Sequence, residues 1–379
     1  GSDQKNHFPA SQKLWELCTQ NGDIYKKSYS GLYCVGCEAF YSPDELDANG
    51  ECNEHPGKKL DQVAEENYFF KLSRYQKQLE KLIETDEVEI VPAERKHEVL
   101  SFIKSGLKDI SVSRSNERAK NWGVPVPGDP TQRIYVWFDA LNIYQSGVGF
   151  GWDEQKYQKY WPADVHVIGK GIVRFHAVYW IAFLLSAKLK LPKQIFVHGY
   201  YTVNGQKMSK TIGNVYDPIP LLEKYGADPL RYYCLAKTPP FTDGDFSEEK
   251  FVEAYNADLA NGLGNLVSRV AKLCAGFTFS INQTTFSPQV IDALNQYRFD
   301  EALKFIWEKI RHLDRVIEKG KPWEKQGDEL KQILDNLVPE IRIIAHNLQP
   351  FLPGTANKIL ARFGNQILVE ESLFPRIKE

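Results

Sequence analysis

Two short apolar runs, Val165-His166-Val167-Ile168 and Ile195-Phe196-Val197-His198, lie one helix apart, with residues 172 to 189 between them. Apolar runs of this length bounded by turn residues read as buried strands, and strand, helix, strand at this spacing is a βαβ unit. A chain built on it carries a parallel sheet with an α/β core. Ile134-Tyr135-Val136-Trp137 reads as a further buried strand, with Asp139 as N-cap of the helix behind it.

Around that core the pattern changes twice. Residues 11 to 32 carry helical spacing (Leu14, Trp15, Leu17, Cys18), residues 33 to 60 are short and loop-rich, and residues 65 to 110 hold two amphipathic helical runs, the second ending before Gly106. Asp217-Pro218 and Asp228-Pro229 each read as an N-cap with proline at the first helical position, and Gly226 is the stop between the two helices. After the Asp243-Gly244-Asp245 turn the pattern is helical only. Tyr255, Leu259, Leu263, Leu266, Val270 and Leu273, then Phe299, Leu303, Ile306, Ile310, Leu313 and Ile317, form the apolar stripes of a bundle over residues 250 to 379.

With 47 Lys plus Arg against 49 Asp plus Glu, the net charge is −2, so any polyanion contact is a local patch. A length of 379 residues implies two or three domains. No stretch approaches the roughly 18 apolar residues of a spanning helix, and no signal-like segment opens the chain, so a soluble cytoplasmic protein is expected, with no membrane partner. Gly1-Ser2 reads as a cloning scar.

Six cysteines at scattered spacings make no disulfide framework. Cys34-Val35-Gly36-Cys37 and, 14 residues on, Cys52-Asn53-Glu54-His55 are instead CxxC and CxxH. Three thiolates and an imidazole at that spacing supply a tetrahedral structural Zn²⁺, leaving no open position for catalysis. Cys18, Cys234 and Cys274 read as packing thiols. Lys207-Met208-Ser209-Lys210-Thr211 lies in a loop between Gly205 and Gly213, after the strand ending at His198. Two ammonium groups three residues apart can converge on one polyphosphate, and the strand, loop and helix context favours this over a solvated basic turn.

This loop resembles the KMSKS signature of class I aminoacyl-tRNA synthetases, with threonine at the fifth position. Longer stretches resemble the methionyl-tRNA synthetase family: YVWFDALNIY (135 to 144), HVIGKGIVRFHAVYW (166 to 180), HGYYTVNGQKMSKTIGN (198 to 214) and the closing LFPRI (373 to 377). The resemblance runs over essentially the whole chain. It implies ATP-dependent activation of L-methionine and transfer to tRNA(Met), with Mg²⁺ accompanying ATP and with Lys207 and Lys210 as the catalytic pair holding the departing pyrophosphate. It further implies a methionine pocket of Trp137, Ala140, Leu141, Tyr144, Ile172, His176 and Trp180. Independently, Ile172, His176 and Trp180 at i, i+4 and i+8 share one helix face, which by itself would also suit a core face with a satisfied histidine.

Gly169, Lys170, His198, Ser209 and the two lysines are the implied ATP contacts. Gly169-Lys170-Gly171 ends a strand at the carboxyl edge, where open parallel sheets bind ligands. Family members often carry aspartate at the position of Gly171, so the ribose contact differs here. His198 is open to a structural role as well, and Arg114 is either structural or faces the active site. Asn265 and Arg269, at i and i+4, with Trp323 after Pro322, match the family's anticodon readers; stripped of the resemblance they are a surface amide, a solvated arginine and a helix-end tryptophan.

The organisation implied is α/β plus all-α. Residues 1 to 25 are the tail of a first catalytic half and 26 to 95 an insert with a zinc knuckle. Residues 96 to 215 are the second half of a Rossmann-like parallel-sheet domain, 216 to 249 connecting helices, and 250 to 379 an anticodon-binding bundle. The family's HIGH signature is absent, so a separate or missing N-terminal portion carrying it is expected as a partner. A non-enzymatic tRNA-binding module and a class I synthetase of sibling specificity are the alternatives.

Overall fold

Helix α1 (His7–Gln20) buries Leu14, Trp15 and Cys18 on one face, then Gly22 turns the chain at φ +74°. Helical character does not continue to residue 32, because Ile24–Cys34 is strand β1. Residues 33 to 60 are likewise more than loop, since β2 (Ala39–Tyr41) folds back on the end of β1 with Cys34 opposite Ala39. The stretch from residue 65 opens as strand rather than helix: β3 (Asp61–Phe70) runs antiparallel to β1, from Ile24 opposite Phe70 to Tyr33 opposite Asp61. Cross-strand pairing with a distant segment overrides local helical spacing in both places. The computed structural model describes residues 3–36, 39–41, 46–52, 57–208 and 213–377.

The two amphipathic helices do form, as α2 (Gln76–Glu84) and α3 (Ala93–Lys104), separated by β4 (Glu89–Val91) and stopped before Gly106 at φ +103°. Strand β5 (Ile110–Ser111) pairs with β3, while β6 (Ser113–Ser115), β7 (Pro125–Val126) and β8 (Asp129–Ile134) make an antiparallel sheet in the order β6-β8-β7. The run 134 to 137 is therefore not a strand of the parallel sheet. The chain leaves β8 at Ile134 and enters α4 (Val136–Leu141) and α5 (Ile143–Ser146), with Asp139 inside α4 rather than capping it. A four-residue apolar run has no period that separates strand from helix.

Asp153 caps α6 (Glu154–Tyr160), accepting from the Lys156 amide at 3.0 Å. The expected βαβ segment follows: β9 (Val165–Gly169), a 3-10 turn (Lys170–Ile172), a π-helix (Phe175–Trp180), α7 (Ile181–Ser186) and β10 (Gln194–His198). Strand order is β4-β10-β9, with β10 parallel to β4 and Ile195 opposite Ile90. Ile90, Ile168, Ile195, Val197 and Phe183 are buried in the core of this unit, which comprises residues 1 to 197.

The second unit, residues 198 to 379, opens with the hairpin β11 (Tyr201–Val203) and β12 (Gln206–Lys207). Helices α8 (Ile219–Tyr225) and α9 (Ala227–Ala236) flank Gly226, whose φ of +82° makes the break. Pro218, not Asp217, takes the cap position of α8, and Asp217 just ahead of it accepts from the Ile219 amide at 3.0 Å. Asp228 is not a cap: Gly226 caps α9, and the Asp228 carboxylate accepts from the Thr355 amide at 2.5 Å. After β13 (Gly244–Asp245) come α10 (Glu248–Ala254), a second π-helix (Tyr255–Gly264), α11 (Asn265–Leu273), α12 (Pro288–Asn295), α13 (Phe299–Gly320), α14 (Gly327–Leu348) and α15 (Pro353–Arg362). Leu259, Leu263, Leu266 and Val270 meet Leu303, Ile306, Ile310 and Ile317 in its core. Each such burial contributes about 1.5–3 kcal/mol. Among the described residues no helix is long and apolar enough to cross a membrane.

Candidate functional site

In the first unit, side chains of α5 and the π-helix meet around His166 of β9, with the 3-10 turn that follows the strand joined to them through Ile172 and His176. His176 Nδ1 lies 2.9 Å from the Ile172 carbonyl, which only accepts, so Nδ1 carries the proton and Nε2 receives the Tyr144 hydroxyl at 2.8 Å. Trp180 donates its indole N–H to His166 Nε2 at 3.2 Å, and the Tyr144 and His166 rings lie 4.3 Å apart. Trp137 stacks on Phe175 at 4.0 Å with the planes 10° apart. The result is a polarisable aromatic wall whose two histidines are neutral. Burial depresses both, His166 to about 4 with the neighbouring His176 adding to the effect, while the Ile172 carbonyl partly offsets the fall at His176. Burial raises Tyr144, keeping it a hydroxyl donor.

The structure thus groups Tyr144, Ile172, His176 and Trp180, but not as a plain α-helical face. A π-turn is wider than an α-turn, so a four-residue step no longer stacks side chains directly. Leu141 is in the apolar core and Ala140 is half-buried on α4. His166 and Trp161, whose ring lies 6.1 Å from Trp180, belong to the wall without having been singled out in the sequence, while Phe175 pairs with Trp137. Only the apolar alternation around His166, which turns it to the buried side of β9, was a signal.

Beneath α4 and α5 runs a buried polar chain. His7 Nε2 lies 2.6 Å from Asp139 Oδ1, His7 Nδ1 lies 2.7 Å from Ser146 Oγ, and Ser11 donates to Asp139 at 3.0 Å. Burial alone would raise the Asp139 carboxyl, but it lies below the usual range, and the hydrogen bond with His7 is foremost among the interactions that lower it. This chain ties α1 to the helices that carry Trp137 and Tyr144.

Gly169 ends β9 and Lys170 opens the 3-10 turn, with Gly171 exposed beside it. Arg114 is buried on β6, donating to the Ser113 carbonyl at 2.7 Å with its guanidinium 4.3 Å over Tyr135, which favours the structural role. Of the proposed zinc ligands, Cys34 and Cys52 are both buried, and the Cys52 thiol donates to the Tyr41 hydroxyl at 3.6 Å. Cys37 and His55 lie outside the described residues, and among the described residues no group of three or more His, Cys, Asp or Glu could hold a metal. Burial raises Cys18 and Cys274 to about 12 and raises Cys234 too, so all three remain thiols.

In the second unit, His198 ends β10, with Nδ1 donating to the Gly199 carbonyl at 2.7 Å. Lys207 ends β12, exposed, its ammonium 4.6 Å over the Tyr200 ring, and Asn214 donates to the Lys207 carbonyl at 3.2 Å. Ser209, Lys210 and Thr211 lie outside the described residues. On the bundle, Arg269 lies 4.8 Å over the Trp323 ring and pairs with Glu318 at 2.7 Å. Asn265, first residue of α11, is exposed, as is 47% of Trp323.

The family model described as tRNA synthetases class I (M) matches residues 1–271. Methionine--tRNA ligase of Clostridium acetobutylicum is 40% identical over 392 residues, covering 97% of this chain and 60% of that protein. The Brucella suis enzyme of the same name is 41% identical over 378 residues, covering 94% and 73%. Among solved structures, Mycobacterium tuberculosis methionyl-tRNA synthetase bound by methionyl-adenylate aligns with a TM-score of 0.87 at 33% identity, covering 99% of this chain and 82% of that one. Its apo form aligns at 0.85 with 32% identity. Sheets, helices and matches together define the class I aminoacyl-tRNA synthetase fold. Within that class, the chain belongs to the methionyl-tRNA synthetase family. It spans about 60% of the length of the first curated relatives it matches.

Proposed function

We propose that this chain supplies the methionine pocket, lysine loop and anticodon domain of a methionine--tRNA ligase. The observation that carries this is the neutral pair of Tyr144 and His176 set against His166 and Trp180. A wall without net charge suits an unbranched thioether, whose sulfur gains roughly 0.3–1.5 kcal/mol per aromatic contact, and disfavours charged side chains. The methionine carboxylate oxygen then attacks the α-phosphorus of ATP, breaking the bond to the pyrophosphate oxygen. A terminal ribose hydroxyl of tRNA next attacks the acyl carbon, releasing AMP. Lys207 and Lys210 act where charge accumulates on the leaving pyrophosphate, with Mg²⁺ on the phosphates and with Gly169, Lys170, His198 and Ser209 as further ATP contacts.

Asn265, Arg269 and Trp323 are the proposed anticodon surface. An exposed indole under a guanidinium suits a stacked, unpaired base, and the amide beside it suits a base edge. Zn²⁺ is proposed at Cys34, Cys37, Cys52 and His55, where it would hold the knuckle together structurally. Supporting it are the two buried thiols, in a segment too short for a core of its own. A portion carrying HIGH is proposed to pack on β9, an edge strand whose Val167 is 61% exposed.

The test is methionine-dependent ATP–pyrophosphate exchange, with elemental analysis of the same preparation purified without chelator. The expected result is little exchange by this chain alone, exchange on adding a HIGH-bearing polypeptide, and one zinc per chain. Exchange driven by another amino acid, or by none, would overturn the methionine reading. Absence of bound metal would remove the zinc site.

A further inference from the structure

The Asp243-Gly244-Asp245 turn stands out in the sequence and has no part in the chemistry so far. In the structure it is the strut beneath the lysine hairpin. Gly244 and Asp245 pair with Tyr201 and Thr202 as β13 against β11, and Asp243 accepts from the Tyr200 amide at 2.8 Å. The approach is close: a Cβ on Gly199 would lie 2.0 Å from the Thr242 carbonyl oxygen, and one on Gly244 would lie 2.6 Å from Thr238 Cβ. One oxygen of Asp245 accepts from the Thr202 hydroxyl at 2.8 Å and from the Gly205 amide at 2.9 Å, while the other accepts from Lys250 at 2.7 Å.

The Gly205 amide belongs to the two-residue turn between β11 and β12, where Asn204 and Gly205 both take positive φ, +52° and +75°. That is the conformation of a tight hairpin turn, and it sets the register of the strands it joins. Here the register places Thr202 opposite Lys207. Asp245 therefore fastens both the residue facing Lys207 and the turn that brings Lys207 back. The Gly205 amide first, then Lys250 and Thr202, pull its carboxyl down to about 2, so it is ionised throughout the neutral range.

We propose that Asp245 is a positioning residue for the lysine loop, holding the β11–β12 turn so that Lys207 is presented to the pyrophosphate group. This rests on the reading of Lys207 as a phosphate contact. Asp245 touches no substrate in this scheme; it acts through Gly205 and Thr202.

The experiment uses the full chain, Asp245→Ala and Asp245→Asn, with two measurements: backbone hydrogen exchange across residues 201 to 208, and titration with inorganic pyrophosphate. In Asp245→Ala the Gly205 amide is expected to exchange at least about tenfold faster, having lost a charge-assisted bond. Pyrophosphate affinity is expected to fall about tenfold, the cost of one such bond. Asp245→Asn keeps a carbonyl oxygen toward Thr202 and Gly205, so both quantities should return toward wild type. Unchanged exchange at Gly205 in Asp245→Ala would overturn the proposal. So would a loosened hairpin with unchanged pyrophosphate affinity, which would make Asp245 structural only. A wild-type chain that does not bind pyrophosphate would overturn it through the reading it rests on, and that failure is distinguished by appearing before any substitution.

Discussion

The two compact units carry their candidate functional residues in opposite ways. In residues 1 to 197 the wall of Tyr144, His166, His176 and Trp180 is largely buried, hydrogen-bonded to itself and continuous with the unit's core. In residues 198 to 379 the apolar seam of Leu259, Leu263, Ile306 and Ile310 holds the helices together, while Asn265, Arg269 and Trp323 lie outside it. The comparison teaches that the proposed methionine pocket draws on the atoms that fold its unit, whereas the proposed anticodon surface lies apart from the atoms that fold the other. Substitutions should therefore change stability and function together in the first unit and separately in the second.

The strongest way to break this comparison is Trp180→Ala. The indole is fully buried and donates to His166, so its removal should cost about 3–5 kcal/mol. Urea unfolding followed by circular dichroism measures it; a loss under about 1 kcal/mol would mean that the wall is not part of the core.

Acid sharpens the comparison next. Among the described residues the three buried histidines, His7, His166 and His176, all lie in the first unit. His166 has a folded pKa lowered to about 4 from 6.5, so the unfolded chain binds a proton that the folded chain refuses between those values. Stability is thus intact above about pH 6.5 and declines as pH falls toward 4, by an amount on the order of 3 kcal/mol for this one group. Unfolding midpoints at pH 7 and pH 4.5 should differ accordingly, and His166→Phe should flatten the profile. A wild-type profile already flat over this range would contradict the neutral, buried histidine.

The smallest stability effect is expected at Trp323→Ala. With 47% of the residue exposed, the change should alter unfolding by no more than about 0.5 kcal/mol, yet weaken binding of a methionine anticodon stem-loop by roughly 1–3 kcal/mol. Fluorescence anisotropy with the labelled stem-loop tests this. Equal affinity of the variant would remove Trp323 from the anticodon surface.

Local pattern made several features of this molecule legible. Strands β9 and β10 and the helix between them follow from apolar runs and spacing. The stripes of α11 and α13 follow from a 3.6-residue period, and Gly226 separates two helices through its backbone freedom. The lysine loop and the CxxC and CxxH pairs are also patterns of a few consecutive residues, and the roles proposed for them rest on those patterns. In each case the determining interaction is short in sequence, so a window of residues contains its own explanation.

Tertiary structure alone decided the rest. Whether 134 to 137 is strand or helix depended on β8 finding β6 and β7, and β1 replaced an expected helix because β3, nearly forty residues on, offered ten pairing partners. Asp139 meets His7 across 132 residues, Asp228 meets Thr355 across 127, and Asp245 meets Gly205 across 40. Each is a polar side chain whose local alternatives, a cap or a turn, are as reasonable as the partner it found. Burying such a group without a partner costs more than any local preference supplies, so the partner is set by whichever segments the packed cores bring together.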